Sequence, residues 1–461
     1  VDGSRNPGLG YRHFASPVAG PTATVADLHG PGAPAPTVNL AYNAAANPFV
    51  VTPFPTAYTY NEQRLTAAGN STFDFGWESP ALTDALRAGV GYSVNLAPTT
   101  LSLTGTLRTG SQPVALSAGP TANSGWQLLG NPYPAPLNWD NLARPAGMDD
   151  ALYVFQSSGP YAGSYVAYVG GIGPVGANLV ASGQGFFGRV SNGSPTLTFT
   201  NAARETAYSS PVQQRNTAET RPLLELALRG PAANGPADVL YVYQEAGATA
   251  GFDGRYDALK VVLNGGQQPT LYQQAGAHSL SIQGLPTGGQ PQVLPLGVNA
   301  PSAGTFFFAP QRLDNFPPVA SLFLEDRQTG TWHNLRTGAY AAALAPGLST
   351  ARFVLHLNHA QGPLTATPGR QPFAEMQVYP NPAALRAAVQ VVVSGQAAAL
   401  VKARLDVLNS IGQRVYSAPA PSVDLAGRLR VVVPTDGLAA GVYTVRLVTA
   451  TGVLTHKLLI N

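Results

Sequence analysis

Apolar residues in this chain alternate with polar ones over short runs, and clusters of Gly, Pro, Asn and Ser interrupt those runs about every 8–15 residues. That punctuation constrains the fold more than any other feature. A period of two puts every second side chain on one face, as in a half-buried strand, whereas a helix needs a period near 3.6. Leu101, Leu103 and Leu107 follow the two-residue rule, as do Leu224, Leu226 and Leu228, and Val239, Tyr241 and Tyr243. Breakers are abundant, with 50 Gly and 41 Pro among 461 residues, yet there is no G-X-Y period and 44% of the residues are hydrophobic. The chain therefore reads as a folded all-β protein, not as collagen or a disordered segment. Helices are expected only as short pieces, at 80–88 (PALTDALRA) and as a turn at 138–142.

Three β-rich units in series are expected. Residues 1–215 are rich in Pro, Tyr and Trp, and the polar stretch 209–220 follows as a connector. Residues 221–360 read as a β-sandwich. Residues 361–374 lack periodicity and read as a linker. Residues 375–461 carry about seven short strands joined by Gly-containing turns, which predicts an Ig-like β-sandwich.

Charge narrows the function classes. There are 26 basic and 23 acidic residues, a net charge of +3, and the only Lys are Lys260, Lys402 and Lys457. A nucleic-acid partner needs a basic stripe, and none is present. Cysteine is absent, which removes disulfides, thiolate catalysis and Cys-ligated zinc. No apolar run reaches about 18 residues, so no membrane span is expected. No signal peptide is expected within residues starting at Val1.

The last unit carries four motifs in order. They are Tyr379-Pro380-Asn381-Pro382 after a short strand, a turn with Gly412 and Val415, Leu438-Ala439-Ala440-Gly441-Val442-Tyr443, and a terminal strand with Lys457. Two Pro remove ladder donors, so the first motif reads as a strand ending in a stiff turn. Gly412 and Gly441 read as positions of positive φ or close approach. Together the four motifs resemble the type A C-terminal sorting domain of the type IX secretion system of Bacteroidetes. The resemblance implies export through the type IX machinery and display at the cell surface.

Two further motifs resemble a module of secreted Bacteroidetes proteins. One is Trp126, Gly130-Asn131-Pro132-Tyr133-Pro134 and Trp139; the other is Gln184-Gly185-Phe186-Phe187, preceded by Gly183. No reaction is implied by that module.

Residue chemistry points away from catalysis. The His are dispersed, and His356 and His359, three apart on a predicted strand, point to opposite faces, so no metal centre is expected. Glu62, Asp74, Glu78, Asp140, Asp149 and Asp150 are the candidate acids of the first unit for glycosidase chemistry, and Glu78, beside Trp77, reads first as a cap or turn acid. Asp253 and Asp257 are weak calcium candidates, and turn-forming Asp is the simpler reading. The expectation is a secreted, cell-surface structural or adhesive protein, not an enzyme and without a cofactor. It would associate with itself or with other surface proteins, in a filament or surface layer. A carbohydrate-binding adhesin whose aromatics hold glycans is the first alternative, and a hydrolase with an unrecognised site the second.

Overall fold

Strands make up nearly all the regular structure in the computed structural model of the protein. It describes the chain except residues 1–5, 21, 66–71, 120, 122–123, 207–218, 233–234, 263–267, 319, 359–375, 395–403, 410–411, 420–427 and 450–451. Two compact units form, Val1–Gly362 and Pro363–Asn461. The expected linker 361–374 and most of the connector 209–220 lie outside the described residues.

The first unit opens with two four-stranded antiparallel sheets. One contains β1 (Tyr11–Ala15), β2 (Ala57–Tyr60), β3 (Trp77–Glu78) and β4 (Gly91–Asn95) in the order β1-β4-β2-β3. The other contains β5 (Trp126–Gly130), β6 (Leu152–Ser157), β7 (Gly163–Tyr168) and β8 (Gly185–Arg189) in the order β7-β6-β8-β5. Neighbouring side chains on β8 face opposite ways. Phe186 enters a core with Tyr133 and Trp139, and Phe187 enters a second core with Trp126 and Tyr153. Glycine lets the two sheets approach. A Cβ on Gly130 would lie 2.3 Å from Ala15 Cβ, and one on Gly91 would lie 2.5 Å from the Leu129 carbonyl.

A long sheet follows, built from β9 (Leu223–Arg229), β10 (Ala237–Glu245), β11 (Thr270–Ala275), β12 (His278–Pro286), β13 (Gln292–Ala300), β14 (Gly304–Asp314), β15 (Leu322–Asp326), β16 (Thr331–Asn334), β17 (Tyr340–Leu344) and β18 (Gly347–Leu357). The order is β16-β15-β18-β13-β11-β12-β10-β9-β14-β17, and its β10–β12 pair is parallel. Its end strands β16 and β17 are joined by a short turn, so the sheet curls nearly into a barrel. Alternation sorts β9 cleanly. Leu224, Leu226 and Leu228 fill the barrel interior, while Leu223 joins the core of Trp126 and Tyr153. The first two sheets and the curled sheet thus share that core. Inside the barrel, Phe308 and Phe353 are fully buried with ring centroids 4.6 Å apart. Each such burial contributes about 1.5–3 kcal/mol.

The expected helix at 80–88 does not form. The backbone there hydrogen-bonds sideways instead, with Val25 N–H donating to Asp84 O and Leu86 N–H to Ala23 O. Burial of Leu86 secures that arrangement, and a tertiary contact has overridden local helix preference. At 138–142 the expected turn is a 3-10 helix, Trp139–Asn141, with the Asn138 side chain accepting the Asp140 N–H.

The second unit is an Ig-like sandwich. One sheet is β19 (Met376–Tyr379), β20 (Ala388–Ser394) and β23 (Arg428–Pro434). The other is β21 (Arg404–Leu408), β22 (Arg414–Pro419), β24 (Gly441–Thr449) and β25 (Gly452–Ile460), in the order β22-β21-β24-β25. Alternate residues of both sheets interdigitate, among them Val389, Val391, Leu405, Val407, Val445 and Leu458.

Candidate functional site

The motifs of the second unit meet around its last strand. Tyr379 ends the edge strand β19, and both the Tyr379–Pro380 and Asn381–Pro382 bonds are cis. The turn aims the Asn381 amide at β25. Its Nδ2 donates to Lys457 O at 2.7 Å, and its Oδ1 accepts Leu459 N–H at 2.9 Å. One side chain thereby imitates a paired strand. The backbone after Pro382 continues the pairing: Ala383 N–H donates to Leu459 O at 2.8 Å, and Asn461 N–H to Ala383 O at 2.9 Å. The first and last motifs, far apart in sequence, are stitched together. The Lys457 side chain itself is exposed on β25.

The middle motifs are supports. Gly412 has φ +80° in the turn from β21 to β22, a conformation that favours glycine. Gly441 opens β24 with φ 158°, close to extended backbone. Tyr443 is buried and its hydroxyl donates to Ala439 O at 2.8 Å. That contact ties the strand back to the turn before it, as a tyrosine corner does.

One feature of the same sheet escaped the motifs. Asp406 is fully buried on the face of β21 opposite Leu405 and Val407. Its carboxylate accepts from Arg404 Nε at 3.1 Å, Arg446 Nη2 at 3.0 Å and Ser417 Oγ at 2.8 Å. Burial alone would raise this carboxyl, but Ser417, Arg446 and Arg404 outweigh it and hold the group below the usual carboxylate range.

In the first unit, the module motif forms a polar knot. Asn131 is fully buried; its Nδ2 donates to the carbonyls of Ala135, Val180 and Ala181, and its Oδ1 accepts Tyr133 N–H. The loop carrying Pro132 and Pro134, which follows β5, is thereby fixed. Tyr133 OH donates to Gly110 O at 2.7 Å, Trp139 Nε1 to Asp150 O at 2.8 Å, and Gln184 Oε1 accepts Ala181 N–H at 3.0 Å. Gly185 lets β8 pass His13, because a Cβ there would lie 3.0 Å from His13 Cβ.

Above that knot, aromatic rings surround His13. Its Nε2 lies 2.9 Å from Tyr165 OH, and its ring stacks on Phe155 with centroids 5.1 Å apart. Trp77 and Phe187 complete the enclosure. Burial depresses the His13 pKa to about 3, so the ring is neutral.

Glu62, Glu78, Asp140, Asp149 and Asp150 are engaged by donors. Glu62 is buried and accepts from Ser117 Oγ at 2.5 Å and Gly125 N–H at 3.2 Å. Glu78 accepts from Asn61 Nδ2 at 2.9 Å. Asp149 pairs with Arg189 at 3.0 Å, and Asp150 with Arg144 at 2.7 Å. Asp140 accepts the Tyr168 hydroxyl at 2.7 Å. Asp257 and Asp253 close a tight turn. Asp257 Oδ1 accepts Gly284 N–H and Oδ2 accepts Asp253 N–H, while Asp253 Oδ1 accepts Arg255 N–H. These oxygens face amide hydrogens, which repel a cation. Burial pushes the Asp257 carboxyl up to about 7 despite the two donors. His356 Nε2 lies 2.9 Å from Glu325 Oε2; His359 lies outside the described residues. Among the described residues no cluster of three His, Asp or Glu is arranged to hold a metal.

Residues 45–357 match the family described as a domain of unknown function, DUF8693. The chain belongs to the DUF8693 family. Its tail, residues 377–461, matches the secretion system C-terminal sorting domain. This tail is a type IX sorting domain, distributed in Bacteroidetes. The DUF8693 chain is therefore secreted by the type IX machinery, engages that machinery through its tail, and is attached at the cell surface. No curated protein matches it. Among the described residues, no helix is long and apolar enough to cross a membrane.

Proposed function

We propose that this DUF8693 protein is a structural or adhesive component of the cell surface, without catalytic activity of its own. The observation that carries this reading is the engagement of its buried acids. Glu62, Asp149, Asp257 and Asp406 each face amide, hydroxyl or guanidinium donors within the fold. A general acid or nucleophile needs its oxygen turned towards a substrate. The module motif residues likewise bond to backbone groups and so build shape.

Glycan binding is the second reading. Tyr161 is 81% exposed, with its ring 6.3 Å from that of Tyr11, and its free face could stack on a sugar ring. The test is to incubate the purified full chain with surface polysaccharides and generic hydrolase substrates, and to compare cells with and without the gene for attachment and surface layers. Loss of attachment or of a surface layer, with no turnover, is the expected result. Turnover that disappears on replacing an acid of the first unit would overturn the reading.

A further inference from the structure

The charge of this chain is divided unequally. Residues 1–362 carry 17 Lys and Arg against 19 Asp and Glu, a net −2, whereas residues 377–461 carry eight against three, a net +5. The positive excess therefore lies in the sorting domain. Half of its cations sit on one sheet: β21, β22, β24 and β25 hold Arg404, Arg414, Arg446 and Lys457, with Asp406 as their one acid.

Register gathers these side chains on one face. Arg446 lies opposite Asp406, Arg414 opposite Leu408, and Lys457 opposite Thr444, which is itself opposite Leu408. Residues opposite each other in an antiparallel pair share a face, and Arg404, two residues from Asp406, shares it too. This face is turned away from Leu405, Val407, Val445 and Leu458 of the sandwich core. Three strand spacings separate Arg414 from Lys457, so the four cations fall within a patch about 15 Å across.

Two features of the face select its partner. Among the described residues the ion pairs of this sheet go to Asp406 alone, so one buried negative charge is set against four positive ones. Arg404 grips that carboxylate with two nitrogens, Nε at 3.1 Å from one oxygen and Nη2 at 3.2 Å from the other, the planar fork that suits carboxylates. Asp406 thereby orients both guanidinium groups while Arg404 stays 50% and Arg446 35% exposed. Side chains already ordered lose little freedom on docking. Between the cations, Val415, Val442 and Leu459 are partly exposed. Arginine among apolar side chains on a flat face is the composition of a protein interface. A lipid surface needs an apolar side that enters the acyl region, and cations spread over flat strands do not supply one.

We propose that this face is the one by which the sorting domain docks on the type IX machinery. Its occupant is an acidic protein surface whose carboxylates meet Arg414, Lys457 and the exposed sides of Arg404 and Arg446. The docking goes beyond the role proposed for the first unit and does not depend on it.

The test uses the full chain in the host cell. The photoreactive residue p-benzoylphenylalanine replaces Thr444, at the middle of the face, and cells are irradiated during export. The expected adduct is on a protein of the machinery, at a peptide containing Asp or Glu. In the double variant Arg414→Glu, Lys457→Glu the adduct falls about ten-fold and export falls with it. The double variant Arg414→Lys, Lys457→Arg keeps the charge and retains both. Circular dichroism of the purified reversed chain checks its fold, and the adduct of the unreversed chain tests the face independently. Undiminished export of a folded reversed chain overturns the proposal. So does an adduct confined to the chain's own first unit, or the absence of any protein adduct. Flotation of the wild-type chain, and not of the reversed chain, with phosphatidylglycerol vesicles makes the face a lipid contact and overturns it as well.

Discussion

Asp406 occupies a position that strand alternation assigns to the outside of the sandwich, yet it is fully buried. Cross-strand register explains this. Asp406 lies directly opposite Arg446 on β24 and Ser417 on β22, and Arg404 sits two residues away on its own strand. Removing the carboxylate leaves two guanidinium groups facing each other. Asp406→Ala is expected to destabilise the sorting domain by about 2–3 kcal/mol, less than a fully buried pair would cost because both arginines reach solvent. Denaturant unfolding of the full chain, followed by hydrogen exchange in residues 404–460, checks it. Because its folded pKa is depressed, Asp406 stabilises the domain above the unfolded value of about 3.9, and that contribution is lost as pH falls through the folded pKa. Asp257 has the opposite sign. Its pKa is raised to about 7, so its contribution is full below about pH 4 and is lost as pH rises towards 7. Comparing urea midpoints at pH 5 and pH 8, Asp257→Asn is expected to lose part of the decline seen in the parent chain. An unchanged slope would show that Asp257 titrates normally. Asp257 was legible in the sequence only as a turn or calcium-binding acid, and Asp406 did not stand out, because an acid between apolar residues reads as solvent-facing until its neighbours across the sheet are known.

Two glycines with different neighbours separate conformational strain from close packing at the scale of elements. Gly110 has φ +74° and open space around it, whereas Gly130 on β5 faces Ala15 Cβ across the meeting of two sheets. Gly110→Ala is expected to cost about 1 kcal/mol, the usual left-handed penalty. Gly130→Ala should cost more, about 2–3 kcal/mol, because β1 or β5 must move. Thermal unfolding of the two variants side by side reads the difference, and equal losses would refute the close-approach role. The turn at Tyr379–Pro382 offers a second check. Asn381→Ala removes two hydrogen bonds to β25 and is expected to cost about 1–2 kcal/mol, with faster exchange of the Leu459 amide. The strands and the YPNP turn were legible in sequence because alternation and paired prolines are local signals. The supposed helix at 80–88 was not, because pairing of Asp84 and Leu86 with Ala23 and Val25 depends on residues some sixty positions away.

Export and display belong to the molecule as a whole. A chain lacking residues 363–461 is expected to fold its first unit but to remain inside the outer membrane of its host, which surface proteolysis and fractionation of whole cells would show. Surface exposure of that shortened chain would mean that the first unit carries its own address. The address was readable from the sequence alone, since YPNP, the Gly412 turn, the LxxGxY run and the terminal Lys strand are short motifs in fixed order. The all-β class was readable for the same reason: alternation and turn residues are written locally, and each strand needs only its own period to declare a buried face. Tertiary structure alone decided what those faces meet. It joined Leu223, Tyr243 and Ile282 to the core of Trp126 and Tyr153, enclosed His13 in aromatic rings, and placed Asp406 between two arginines. It also left Leu40, Phe49, Val50 and Phe54 exposed while burying Tyr42 beside them. Those outcomes depend on register and on contacts between segments distant in the chain, and a period of two carries information about a strand's face without naming its partner.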